Sequence, residues 1–211
     1  MIPLLKVFFI MRFRSLLALC GLALSLAACM PAAPQVDASL LNSLVITDVV
    51  VEVKNMSDGD SEVQVIRASG RDPLLPESGE WLRSEEGQKQ LHQHVSTLIK
   101  EQFQAHARHR LKGTTKARLV VNVEYFDIPS AMRRIIIGGV PMGVFTATLI
   151  EVPSGRVIAT SPKLSNHIEN GQGVFGVAFE SALKSSSAPS ASLLTAGAMA
   201  SKYFDWLLQA R

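Results

Sequence analysis

The sequence predicts an α+β domain of two layers, a mixed and mostly antiparallel sheet with two helices packed on one face, in the order βαβββα. Three observations lead there. Two β-branched runs, Leu44 to Val53 and Leu119 to Phe126, alternate with period two. Between them, apolar residues recur every fourth position from Leu91 to Leu111. Beyond them, a proline and glycine turn at residues 153–156 joins two more short apolar runs.

In the first strand Val45, Thr47, Val49, Val51 and Val53 fall on one face, with Asp48 and Glu52 on the other. Residues 57–80 are rich in Gly, Pro, Asp and Ser and read as a loop, in which Val63-Gln-Val-Ile66 is a candidate short strand. Ser84 followed by Glu85 and Glu86 reads as a helix start, because a hydroxyl can accept from a free backbone N–H and carboxylates favour the positive helix end. The helix should close at Arg108, Arg110 and Lys112, with Gly113 just beyond as a left-handed cap. Its inward row is Leu91, Val95, Ile99, Phe103, Ala107 and Leu111, with Leu98 beside it.

The second strand alternates Leu119, Val121, Val123 and Tyr125 against Asn122 and Glu124. Phe145 to Val152 and Val157 to Thr160 then form a hairpin through Pro153-Ser-Gly-Arg156, in which Gly155 can take positive φ. A last helix, about Leu193 to Gln209, presents Leu194, Met199, Tyr203, Phe204, Trp206 and Leu207 as the second packing face.

The N-terminus specifies an address. Leu16 to Ala28 runs thirteen residues without a charge after Arg12 and Arg14. That is short of the ~20 a spanning helix needs and within the ~7–15 of a secretory segment. Leu26, Ala27 and Ala28 stand directly before Cys29, the lipobox arrangement in which the thiol takes a diacylglycerol before cleavage and the freed amine a fatty acid such as palmitate. Met11, with Arg12 and Arg14 after it, would itself be a normal start for such a signal. Cys20 follows bulky Leu19 and belongs to the apolar run. The division expected is a signal peptide over 1–28, a lipidated tether over 29–39 and one periplasmic domain over 40–211. Met30 rather than Asp after the cysteine favours the outer membrane.

Processing also changes the charge. The chain has 21 Lys plus Arg and 18 Asp plus Glu, but Lys6, Arg12 and Arg14 leave with the signal, so 18 face 18. A body without net charge has no field to gather nucleic acid, and that class is set aside. With Cys29 acylated no thiol remains for a disulfide or a metal. His92 and His94 point to different sides of the long helix, and His106 with His109 lacks an acidic third ligand, so no metal is expected. Gly171-Gln-Gly173-Val-Phe-Gly176 matches G-x-G-x-x-G, but no buried strand precedes it and no acid follows on positions 185–201, so it reads as a glycine loop and no cofactor is expected. No nucleophile and base pattern marks an enzyme.

Met132, Arg133, Arg134 and Ile135, followed by Gly138 and Gly139, combine charge, apolar bulk and backbone freedom in one connection. Two readings stand open. One is a strand that pairs back on residues 118–126 with the arginines guarding its edge. The other is a loop whose apolar tip meets a partner while the arginines find phosphates or carboxylates.

The run Ala117-Arg-Leu-Val-Val-Asn-Val-Glu-Tyr-Phe126, the arginine and glycine connection with Gly143, and Phe145-Thr-Ala-Thr-Leu-Ile-Glu-Val-Pro-Ser-Gly-Arg-Val-Ile158 together resemble a group of small proteobacterial lipoproteins of unknown function. Those proteins usually carry Asp before the turn, where this chain has Glu151. The pattern is also similar to the periplasmic α/β domain of the curli-secretion lipoprotein and related envelope lipoproteins. The resemblance implies a mixed sheet with helices on one face, a role in assembly, secretion or transport, and no catalytic residues. The function expected is therefore a lipid-anchored protein facing the periplasm and acting through an envelope protein partner. A second expectation is a small-ligand binder whose apolar pocket, between sheet and helices, is lined by Phe126, Phe145 and Phe175.

Overall fold

In the computed structural model the chain is described over residues 36–130, 133, 138–167 and 190–209. The signal segment, Cys29, Met132, Arg134, Ile135 and the glycine loop at 171–176 lie outside those residues. The elements are α1 (Ala38–Ser43), β1 (Leu44–Asp58), α2 (Gly59–Ala68), α3 (Pro76–Leu82), α4 (Glu85–Arg110), β2 (Thr115–Ile128), β3 (Met142–Glu151), β4 (Val157–Thr160), β5 (Leu164–His167) and α5 (Ala191–Leu208).

The fold is α+β, as the sequence predicts: an open five-stranded mixed sheet with helices packed on it. β1 runs parallel to β2, from Leu44 against Thr115 to Asp58 against Ile128. β2 and β3 are antiparallel, and the other side of β3 is shared by β4 and β5. Between these two short strands Ser161 donates its N–H to Ala147 O, and its hydroxyl takes the place of a ladder carbonyl by accepting from Ala147 N, both at 2.9 Å. Pro162, which has no N–H to give, is tolerated because this is the sheet's edge.

The inner face carries Val49, Leu119, Val121, Val123, Phe145, Ala147 and Leu149, all without exposed surface. Onto it α4 lays Leu91, Val95, Ile99, Phe103 and Ala107, the row read from the sequence. Twenty-six residues make α4 about 39 Å long, nearly the length of the sheet it crosses. Against α4 packs α5, through Tyr203 and Phe204 around Phe103. Each such side chain, fully buried, contributes about 1.5–3 kcal/mol.

The structure departs from the sequence reading where the period breaks. In β1 an irregularity between Ile46 and Asp48 shifts the phase, so Leu44 and Ile46 face the core ahead of Val49, and Thr47 is exposed. In β2 a second one between Val123 and Tyr125 turns Tyr125 out to 41% exposure and sends Phe126 and Ile128 inward. Residues 59–68, expected as loop with a short strand at Val63 to Ile66, form α2, because the Asp58 carboxylate caps its first N–H groups and Asp60 and Glu62 favour its positive end. Leu194 lies on the solvent side of α5 at 48% exposure.

Ser84 caps α4 as expected, accepting from Gly87 N at 3.2 Å. Gly113 does not take a left-handed conformation. It is needed because a Cβ there would sit 2.0 Å from the Ser43 carbonyl carbon. Residues 36–43, ahead of β1, are in contact with the body: Leu41 is fully buried, and Val36 and Leu40 pack on the core.

Candidate functional site

One end of the sheet is polar inside. Pairing sets Ser57, Asp127, Met142 and His167 in a row across β1, β2, β3 and β5, with Asp58 one residue beyond. The connections from Ile128 to Met142 and from His167 to Ala191 both leave from and return to this end, as do the starts of α2 and α5. It is also the carboxyl end of the parallel pair, where open sheets present their crevices.

Asp58 is the centre of this end and has no exposed surface. Its Oδ1 accepts from Asp60 N at 3.1 Å, Ser61 N at 2.9 Å and the Ser192 hydroxyl at 2.8 Å, while Oδ2 accepts from the Ser61 hydroxyl at 2.6 Å. Asp60 reaches across as well, its Oδ2 accepting from Ala191 N at 3.3 Å. The first turn of α2 thus holds the first turn of α5. Loss of hydration raises the Asp58 pKa, and the donors from Ser61 and Ser192 oppose that shift only in part. Burial, followed by the neighbouring charge of Asp58, raises Glu62 as well.

The Asp58–Ser192 pair is a latch between two elements far apart in sequence. Both side chains are enclosed, and the bond ties the start of α5 to the end of β1. Nearby, Asn166 is nearly buried and donates Nδ2 to Thr195 O at 3.2 Å. Gly143 opposes it, since a Cβ there would meet Met199 Sδ at 2.5 Å and Asn166 Oδ1 at 2.9 Å.

Of the contact residues named from sequence, Arg133, Gly138 and Gly139 are described. Arg133 Nη1 lies 3.2 Å from Asp127 Oδ1, and its N–H donates to Ser130 Oγ at 3.3 Å. Part of the guanidinium expected to seek a partner's anion is therefore held by the chain's own carboxylate. Gly138 and Gly139 have φ of 81° and 128°, which a residue with a side chain rarely adopts. Residues 118–126, expected to pair with a strand from this connection, are bonded on both edges, by β1 and by β3, and most of the connection lies outside the described residues.

Phe126 and Phe145 have no exposed surface and belong to the core, with the Phe145 ring edge-on to Phe103 at 5.8 Å. Phe175, their expected partner in a pocket, lies outside the described residues. The histidines of α4 are spread out: His106 stacks on Phe204 at 6.5 Å and His109 is exposed. Among the described residues no three His, Cys, Asp or Glu side chains gather as a metal site would require. An open groove of about 490 Å³ does lie between α2 and α3, lined by Val63, Ile66, Leu74, Leu75 and Leu82 together with Glu62, Glu80 and Arg83. Sequence reading missed both Asp58 and this groove. The signal that could have found them was Asp58 with Asp60 and Glu62 after it, an N-cap followed by acids in a first turn.

No family model matches the sequence, and no curated protein matches it. Among solved structures, the chain is similar to a Caulobacter crescentus protein described as a lipoprotein, at 12% identity and a TM-score of 0.31, over 55% of this chain and 83% of that one. It is also similar to a Xanthomonas campestris protein of a domain family of unknown function, DUF330, at 12% identity and a TM-score of 0.32, over 86% of this chain and 89% of that one. At these scores neither likeness bears on activity. Neither comparison shows the likeness to curli-secretion lipoproteins that the sequence motifs lead one to expect.

Proposed function

We propose that the protein is an outer-membrane lipoprotein, anchored through Cys29 and facing the periplasm, that acts by protein contacts in envelope assembly, secretion or transport. One observation carries the reading beyond the lipobox. The chain enters the body at α1, where Gly113 N donates to Leu44 O at 2.8 Å, and this is the end of the sheet opposite Asp58. With β1 fifteen residues long, those ends stand about 45–50 Å apart. A lipid at Cys29 would hold the entry end near the bilayer and turn the Asp58 end, with Arg133 beside it, toward the periplasm.

The small-ligand reading is weaker, because the two described phenylalanines assigned to its pocket fill the core instead. The test is crosslinking in the native envelope followed by isolation of the full-length protein, with Cys29→Ser alongside. The reading expects a discrete partner with the natural chain and loss of both membrane attachment and partner with the variant. Recovery of the protein alone, under conditions that capture other envelope complexes, would overturn it.

A further inference from the structure

The groove between α2 and α3 borders the polar end at Glu62, in the first turn of α2, and joins three features. Leu74 is 89% exposed, the most exposed of the large apolar side chains described, with Leu75 and Val63 beside it at 46% and 36%. That exposure is built in. Asp72 Oδ1 accepts from Leu74 N at 2.9 Å, Asp72 O accepts from Leu75 N at 3.2 Å, and Ser78 Oγ donates to Asp72 O at 2.6 Å, so a bonded turn holds Leu74 away from the body.

The second feature is Glu62. It is half-buried at the groove wall, and its carboxylate makes no hydrogen bond or ion pair with any described residue. A carboxylate partly removed from water and left unpaired is costly, and the complement that relieves it is a cation that can also donate hydrogen bonds. Among the lining residues Glu80 adds a second negative charge against the single guanidinium of Arg83, so the groove attracts cations on balance. The third feature is scale. A small molecule lodged in the groove would cover only the inner side of Leu74, which is 89% exposed, whereas a polypeptide lying over the turn would cover the rest and gain about 25 cal/mol per Å² of apolar surface buried.

We propose that this groove docks a segment of a partner protein that sets an apolar residue beside a lysine or arginine, the apolar residue against Leu74 and Leu75 and the cation on Glu62. The inference rests on the protein-contact reading and specifies the surface and partner chemistry for it. Leu74 and Leu75 are solvent-facing and form no part of the core, so altering them tests docking without unfolding the body.

The experiment places the photocrosslinker p-benzoylphenylalanine in the full-length protein, in its own cells, at Leu74, at Thr148 on the open sheet face and at Arg133. The expected result is an adduct from position 74 whose crosslinked peptide carries Lys or Arg next to an apolar residue. Glu62→Gln, which keeps an acceptor and loses the charge, should lower its yield about fivefold, or about 1 kcal/mol, and Glu62→Asp should restore part of it. Leu75→Ser should lower it too, which covers the case in which the Glu62 variants fold poorly. Adducts only from positions 148 or 133 would overturn the groove and leave the protein-contact reading standing. An adduct at 74 indifferent to Glu62→Gln and to Leu75→Ser would overturn the proposed chemistry, and no adduct from any position would count against both readings.

Discussion

Ser192, two residues into α5, donates its hydroxyl to Asp58 at the end of β1 across 134 positions of sequence, at 2.8 Å and with neither side chain exposed. This bond joins the last helix to the first strand, and Asp58 also caps α2. Asp58→Ala should therefore cost more than a cap alone, about 2–4 kcal/mol, because it leaves the Ser61 and Ser192 donors unpaired. Ser192→Ala, which leaves the carboxylate three donors, should cost about 1 kcal/mol. Urea unfolding of the two single variants and the double variant measures the coupling, and additive losses would contradict the latch.

The same carboxylate gives stability a pH dependence of a definite sign. Burial raises the folded-state pKa of Asp58, with the charge of Asp60 adding to it, so its contribution is fully present below the ordinary value near 3.8 and is lost as pH rises through the folded value. Glu62, raised by burial and then by Asp58, works in the same direction. Glu124, lowered by Lys163, and Glu151, lowered by Ser154 and Arg156, work the opposite way. Comparison with Asp58→Asn isolates the buried group: the stability of the natural chain relative to the variant should fall from pH 4 to pH 7. A relative stability that grows over that range would mean the four donors outweigh burial.

Tyr203 is enclosed among Phe103, Phe204 and Trp206, and its hydroxyl has no hydrogen-bond partner among the described residues. Burial pushes its pKa well above the ordinary phenol range. Tyr203→Phe removes an unsatisfied polar group at almost constant shape and should stabilise the fold by up to about 1 kcal/mol. A thermal melt that falls by several degrees would show that the hydroxyl has a partner.

Gly113 connects α4 to β2 beneath the end of α1, giving its N–H to Leu44 O. A methyl group there would overlap the backbone of Ser43, which cannot move aside as a side-chain tip can. Gly113→Ala should lower the melting temperature by more than about 5 °C, beyond what helix or strand propensity would cause. An unchanged melt would contradict the close approach.

The elements legible in the sequence are those whose pattern is local and uninterrupted. The four-residue spacing of α4 and the Ser84 cap, the alternation of β3 and the Gly155 turn, with φ of 69°, all needed only neighbours a few residues away. What was not legible depends on distant pairing. The irregularities that exchange Thr47 for Ile46 and Tyr125 for Phe126 arise in the registers of β1 with β2 and of β2 with β3. Val63-Gln-Val-Ile66 has the alternation of a strand, but the capping carboxylate of Asp58 and the burial of Val65 and Ile66 decide for a helix. Arg133 read as a free cation because its partner Asp127 is brought to it by the end of β2, and the groove needed α2 to exist before it could be seen.

In the proposed function one cysteine holds this body at a membrane, and the intact mass of the protein isolated from its own envelope tests that most directly. The predicted mass is that of a chain beginning at Cys29 with a diacylglycerol on sulfur and a fatty acid on the amine. A mass equal to the unmodified chain, whether cleaved elsewhere or not, would contradict the anchor and the orientation argued from it.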